Sequence, residues 1–259
     1  MTSIGTGYDL SNSTFSPDGR VFQVEYAAKA VESAGTTLGI KTPTCVVIAL
    51  EKLITSKLLL PGKNRRMATV DRHIGVASSG LVPDGKHFAG RCRDEAANWR
   101  STYKLPIGVP ALADRMGQYV QAYTLYSSVR PFGMAAIVGG ADEDDGTGLY
   151  LIEPSGAYYG YHACATGKGK QLAKNELEKL DFVTLSAQDA IAAAARIVHQ
   201  VHDEAKDKDF ELELGYICLD DSMGPQNKGK WVILEGEELQ QVNATAKQAA
   251  EADDEEMEE

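Results

Sequence analysis

Two strand-like runs, TTLGIK (36–41) and CVVIALEK (45–52), are separated only by the three residues TPT. A parallel pair needs a crossover of a dozen residues or more, so these strands must fold back on each other as antiparallel neighbours. The same arrangement returns where GADEDDG joins MAAIVGG to LYLIE. Further strands are expected in HIGVASS, following the basic KNRR, in YYGYHACA, in FELELGYICL and in WVILE. Helical spacing fills the intervals. Phe88, Cys92, Ala96, Trp99 and Tyr103 mark one helix face, and Leu112, Met116, Tyr119 and Tyr123 mark another with Pro110 near its start. Helices are also expected in LAKNELEKL, after a Ser186/Asp189 capping box leading into Ile191, Ala195, Val198 and Val201, and as a short final piece from Glu237 to Ala250. Antiparallel strand groups alternating with helix pairs predict an α+β chain, a four-layer αββα sandwich of two antiparallel sheets between helical layers. The expected divisions are a tail and turn over residues 1–19, one domain over 20–235, and a C-terminal helix with an acidic tail over 236–259.

Ahead of the first strand lies FSPDGRVFQVEYAAKAV, Phe15 to Val31. Pro17 presets the first central dihedral of a turn, Asp18 can bond nearby backbone, and Gly19 suits the exit. Val21, Val24, Ala28 and Val31 then recur at helical spacing, with Gly35 as the expected stop. The chain therefore begins with a turn and an amphipathic helix placed before its sheets.

The 259 residues carry a formal charge of -11. Nucleic acid is an unsuitable partner, because phosphate binding needs clustered positive charge. Seven of the acids fall in the last nine residues, EADDEEMEE, which leaves -4 for the remainder. Such a block repels itself and predicts a disordered tail. Cys45, Cys92, Cys164 and Cys218 are far apart in sequence with no CxxC pair, which predicts buried, reduced thiols. MTSIGTGY has neither the basic start nor the apolar stretch of a secretory signal, and no apolar run is long enough to span a membrane. Residence in cytoplasm and nucleus is expected.

Motifs for chemistry are sparse. There is no GxSxG elbow and no HExxH. His199 and His202 could share a helix face, but two imidazoles without a third ligand make a poor metal site. TGKGK at Thr166 to Lys170 lacks the spacing that wraps a phosphate and reads as a strand-to-helix turn. DEDDG places Gly146 where a calcium loop needs a ligand, and reads as a hairpin tip. No cofactor is expected.

The opening turn and helix, together with Tyr8 and Asp9, resemble the N-terminal signature of alpha subunits of the proteasome 20S core particle. The resemblance continues through GTTLGI, SSGLVPD, VRPFG, EPSG and ATGKGKQLAKNELE, covering most of residues 3 to 235. SIGTGYDLSNSTFSPDGR, KDKDFELEL and the acidic end narrow it to one type of alpha subunit. It implies the N-terminal nucleophile hydrolase fold, with the leading helix lying across the cleft that is open in catalytic beta subunits. It also implies partners: neighbouring alpha subunits in a hetero-heptameric ring, beta subunits beneath, and regulatory or activator particles above.

The rival expectation is a threonine hydrolase freed by cleavage before Thr36, since a liberated threonine can use its own amino group as base. The family register counts against it. Gly35 falls at the nucleophile position with Thr36 and Thr37 after it, Glu51 falls at the acidic partner, and Arg66 stands near the catalytic lysine. Arginine stays protonated and cannot tune its charge as lysine does. The chain is therefore expected to contain no catalytic residue. Tyr8, Asp9, Pro17 and Tyr26 match the family's gate cluster, although Leu10 replaces the arginine common after Tyr-Asp. Arg66, Gly80 and Leu81 match the pocket that receives activator tails. The implied role is ring assembly, gating and activator docking in ubiquitin-dependent and ubiquitin-independent protein degradation.

Overall fold

The structure, a computed structural model, describes residues 7–203 and 209–258, without the side chains of 254–258. In chain order the elements are α1 (Phe22–Glu32), β1 (Thr37–Lys41), β2 (Cys45–Leu53), β3 (Met67–Asp71), β4 (Ile74–Gly80), α2 (Val82–Tyr103), α3 (Val109–Ala122), β5 (Met134–Asp142), β6 (Gly146–Ile152), β7 (Tyr158–Gly160), β8 (Ala163–Thr166), α4 (Lys170–Leu177), α5 (Ala187–Val201), β9 (Phe210–Cys218), β10 (Val232–Ile233) and α6 (Gly236–Glu258). Two five-stranded sheets form, ordered β10-β9-β2-β1-β8 and β3-β4-β5-β6-β7. Every described pairing is antiparallel, including that of β1 with β2, which the three-residue TPT connection requires.

The central strands are apolar on both faces because both faces are covered. Along β2, Val46, Ile48 and Leu50 enter the core between the sheets, while Cys45, Val47 and Ala49 pack beneath α4, α5 and α6. Along β5, Ala135, Ile137 and Ala141 face the first sheet, while Met134, Ala136 and Val138 pack beneath α2 and α3. Three apolar layers therefore separate four layers of secondary structure. Among the described residues no helix is long and apolar enough to cross a membrane.

Helix α1 stands outside this stack. Val31 joins the core between the sheets. Val24, Ala28 and Val31 share a cavity of about 280 Å³ with Ala135 and Leu151 of one sheet and Cys164, Ala165 and Thr166 of the other. The helix thus lies over the mouth of the inter-sheet cleft, and Lys170 of α4 holds Glu32 at its end across 2.7 Å. Its cap is Ser33, so Gly35 is not the helix stop expected from sequence.

Three other expectations are corrected. YYGYHACA is two strands rather than one: Tyr161 N–H bonds Leu149 O in the second sheet, and His162 O accepts from Lys41 N–H at 2.7 Å in the first. The chain changes sheets there. Strand β3 has no counterpart among the expected strands; it is five residues paired with β4 and carries a register shift between Thr69 and Asp71. The last helix is longer than the expected Glu237–Ala250: α6 runs to Glu258, and Asp253 receives Arg196 Nη1 at 2.8 Å and Gln200 Nε2 at 2.7 Å from α5.

Candidate functional site

The strand β1 begins where the cleft meets α1, and the residues there are locked by backbone and buried polar contacts. A Cβ on Gly35 would stand 2.1 Å from the carbonyl oxygen of Glu51. No side chain, and hence no nucleophile, fits that position. Gly35 O accepts a hydrogen bond from Ser79 Oγ at 2.8 Å, and Ala34 O accepts one from Lys168 N–H at 2.9 Å.

Thr36 is fully buried. Its backbone N–H donates to Glu51 Oε2 at 2.9 Å, and its Oγ1 accepts from Gly169 N–H at 3.0 Å. The nitrogen that an N-terminal hydrolase would use as base is here an amide, joined to α1 and committed to a carboxylate. The other oxygen of that carboxylate meets His202 Nδ1 at 2.6 Å, with both side chains buried. Glu51 therefore ties the start of β1 to the end of α5. His199 turns elsewhere and meets Asn243 Oδ1 at 2.9 Å, so the two imidazoles do not converge. Burial pushes His199 below its ordinary value. Among the described residues no group of three or more His, Cys, Asp or Glu is placed to hold a metal.

Arg66 makes no described hydrogen bond with Thr36 or Glu51. Its Nη1 donates to Gly80 O at 3.1 Å, and Glu213 Oε2 receives its backbone N–H at 3.0 Å and that of Met67 at 3.1 Å. Burial pushes the guanidinium down from the usual arginine value, with Glu213 opposing. Lys52, buried and inconspicuous in the sequence, pairs with Glu211 and lies 3.5 Å from Glu213. Gly80 has φ +118°, and a Cβ there would approach Gly133 O to 2.3 Å, so only glycine fits. The adjoining Leu81 N–H donates to Gly133 O at 2.8 Å. VRPFG supplies the clamp: Arg130 grips Asp84 with two bonds of 2.6 and 2.8 Å, and Gly133 N–H adds a third at 2.9 Å. Arg130 holds the Asp84 carboxyl below the usual carboxylate range.

At the N-terminal turn, Tyr26 OH donates to Asp9 Oδ2 at 3.2 Å, and Gln23 Nε2 donates to Asp9 O. Partial burial and the Asp9 contact push the Tyr26 phenol above its ordinary value. Ser16 and Arg20 close the turn around exposed Pro17, with Gly19 at φ +77°. The structure thus joins Asp9 with Tyr26; Tyr8 and Pro17 make no described hydrogen bond with that pair. Asn12, which reads as an ordinary loop residue in SNST, is the strongest anchor: its buried amide lies within 3.0, 3.3 and 2.7 Å of the carbonyl oxygens of Tyr123, Tyr126 and Val129.

A two-sheet sandwich of this order, with glycine where the nucleophile would be and a helix over the cleft, is an N-terminal nucleophile hydrolase fold in a non-catalytic form. The chain belongs to the proteasome subunit family, in its alpha branch: the family model for proteasome subunits matches residues 31–217, and the model for the N-terminal signature of A-type proteasome subunits matches residues 8–30. It is 54% identical over 257 residues to a probable proteasome alpha type-7 subunit of Saccharomyces cerevisiae, covering 98% of this chain and 87% of the relative. It is 51% identical over 257 residues to a proteasome alpha type-3 subunit of Acanthamoeba castellanii, covering 99% of both. A proteasome alpha type-3 subunit of Spinacia oleracea is 54% identical over 218 residues, covering 84% of this chain and 87% of the relative. As a member of the alpha branch the chain assembles with other proteasome subunits and cleaves no bond itself.

Proposed function

We propose that this subunit fills one place in a ring of seven different alpha subunits, resting on beta subunits, and that its N-terminal segment forms part of the substrate gate in ubiquitin-dependent and ubiquitin-independent protein degradation. One observation carries the reading. The segment before α1 has a fixed root, with Asn12 on three backbone carbonyls and Asp9 on Gln23 and Tyr26. A tail that opens and closes a pore needs such a root, because only then do its outer residues swing through a defined volume. Tyr8, exposed beside this root, and Pro17 at the turn complete the cluster through neighbouring subunits. Arg66, Gly80 and Leu81 form the wall that receives an activator's C-terminal carboxylate, the guanidinium supplying bidentate charge. The working compartments are cytoplasm and nucleus.

The test is the peptide-hydrolysis rate of purified assembled particles carrying Asp9→Ala or Tyr26→Phe. Loss of the bond between them should lower the activator-stimulated rate, in which the tails are held open, more than the basal rate. Equal rates in both states would remove the gate assignment.

A further inference from the structure

Cys45 and Cys218 are 173 residues apart in sequence and face each other across the β2–β9 ladder as direct register partners. Directly opposed residues on antiparallel strands have Cα separations of about 4.5–5.5 Å, inside the span a disulfide bridges. Both side chains point the same way, into the core beneath α5, and their sulfurs stand 2.6 Å apart. The other two thiols, Cys92 and Cys164, are buried in separate clusters, each away from any second cysteine.

We propose that Cys45 and Cys218 are a modification site of this subunit, forming a reversible cross-strand disulfide when the oxidant is hydrogen peroxide. The Cys218 thiolate attacks one peroxide oxygen, the O–O bond breaks, and water leaves once the departing hydroxide is protonated. The resulting Cys218 sulfenic acid is attacked by the Cys45 sulfur. An S–S bond forms, the S–O bond breaks, and a second water carries off the Cys45 proton. Two thiols lose two electrons and the peroxide gains them.

Cys218 attacks first, since it lies at the end of β9 beside the Leu219–Lys230 loop, whereas Cys45 is fully buried. The contact with Cys45 pushes the Cys218 thiol below its usual value, and the contact with Cys218, with burial, pushes Cys45 above it. Approach is through the Leu219–Lys230 loop, in which Met223 packs on the cluster holding both sulfurs and Asn227 Nδ2 ties back to Tyr216 OH at 3.1 Å. That loop contains two glycines at positive φ, Gly224 at +91° and Gly229 at +63°, and is tied to the strands at its two ends, by Leu219 N–H to Thr44 O and Gly229 N–H to Cys218 O, both at 2.8 Å. By contrast, burial pushes the Cys164 thiol up to about 12, away from the thiolate form.

The experiment uses the full chain within purified particles, exposed to graded hydrogen peroxide, then denatured, alkylated and mapped by mass spectrometry. A peptide pair linking Cys45 to Cys218 is expected, with both thiols lost together, Cys92 and Cys164 still alkylated, and dithiothreitol restoring all four. In Cys45→Ser the link vanishes and Cys218 advances to the sulfinic acid at the same peroxide dose. Material already linked before peroxide is added supports the proposal equally. Recovery of both alkylated thiols at doses that oxidise surface methionines overturns it, as does Cys218 found as a sulfinic acid in the unmutated chain with Cys45 still free.

Discussion

Glu51 accepts the backbone N–H of Thr36 with one carboxylate oxygen and meets His202 Nδ1 with the other, at 2.9 and 2.6 Å. In a fold whose catalytic members need a free amine at the head of this strand, the carboxylate here serves as an internal staple between the first sheet and the helix above it.

Replacing Glu51 by Ala leaves a buried N–H and a buried imidazole without their acceptor. Each such orphan costs about 1–3 kcal/mol. The urea midpoint of the purified chain should fall accordingly, and an unchanged midpoint would show that Glu51 is incidental.

Restoring a threonine at position 35 should not restore hydrolysis. The new Cβ would stand 2.1 Å from Glu51 O, so β1 and β2 must separate, a change of the overpacking kind that costs about 1–3 kcal/mol or more. Gly35→Thr should therefore lower thermal stability and give no adduct with a threonine-reactive inhibitor. An adduct on this chain would contradict the non-catalytic assignment.

The Arg130–Asp84 clamp predicts a pH dependence. The folded carboxyl is held below its unfolded value, so its contribution is present above the unfolded value near 4 and is lost as pH falls through the lower folded value. Arg130 is largely exposed, which limits the pair to about 1 kcal/mol. Arg130→Met should be less stable than the parent at pH 7, with the difference closing towards pH 2. A difference that stays constant across that range would mean that packing, not charge, is responsible.

Charge reversal at Arg66 tests the proposed activator wall. Arg66→Glu should abolish most stimulation by an activator that ends in a free carboxylate, while Arg66→Lys retains part of it, since a lysine offers charge without the planar fork. Binding of the activator to mutant particles, measured directly, decides the matter. Undiminished binding by Arg66→Glu would assign this arginine to holding Gly80 alone.

The layered architecture was legible from short connections and from strands too apolar for one-sided burial. The helix before the first strand was legible too, through its turn chemistry and spacing. Its seat over the cleft came from family resemblance, and the contacts of Val31, Leu151 and Cys164 account for it physically. The site was half visible. Gly35, Glu51 and Arg66 could be aligned by register, yet His202 looked like half of a weak metal pair, and nothing in SNST distinguished Asn12 from a solvated loop residue. Lys52 and Glu213 lie within ordinary strand patterns, and their pairing depends on which strands become neighbours.

The sequence by itself determined most of the strands and helices, though not β3, and that the strands fold back on one another, because those choices rest on local sterics, turn length and the period of apolar side chains. Only the tertiary structure decided that YYGYHACA divides between two sheets, that the last helix continues past Ala250 against Arg196 and Gln200, and that Cys45 meets Cys218. Each of these depends on partners distant in the chain, and the energy of a buried contact belongs to the pair rather than to either residue's local pattern.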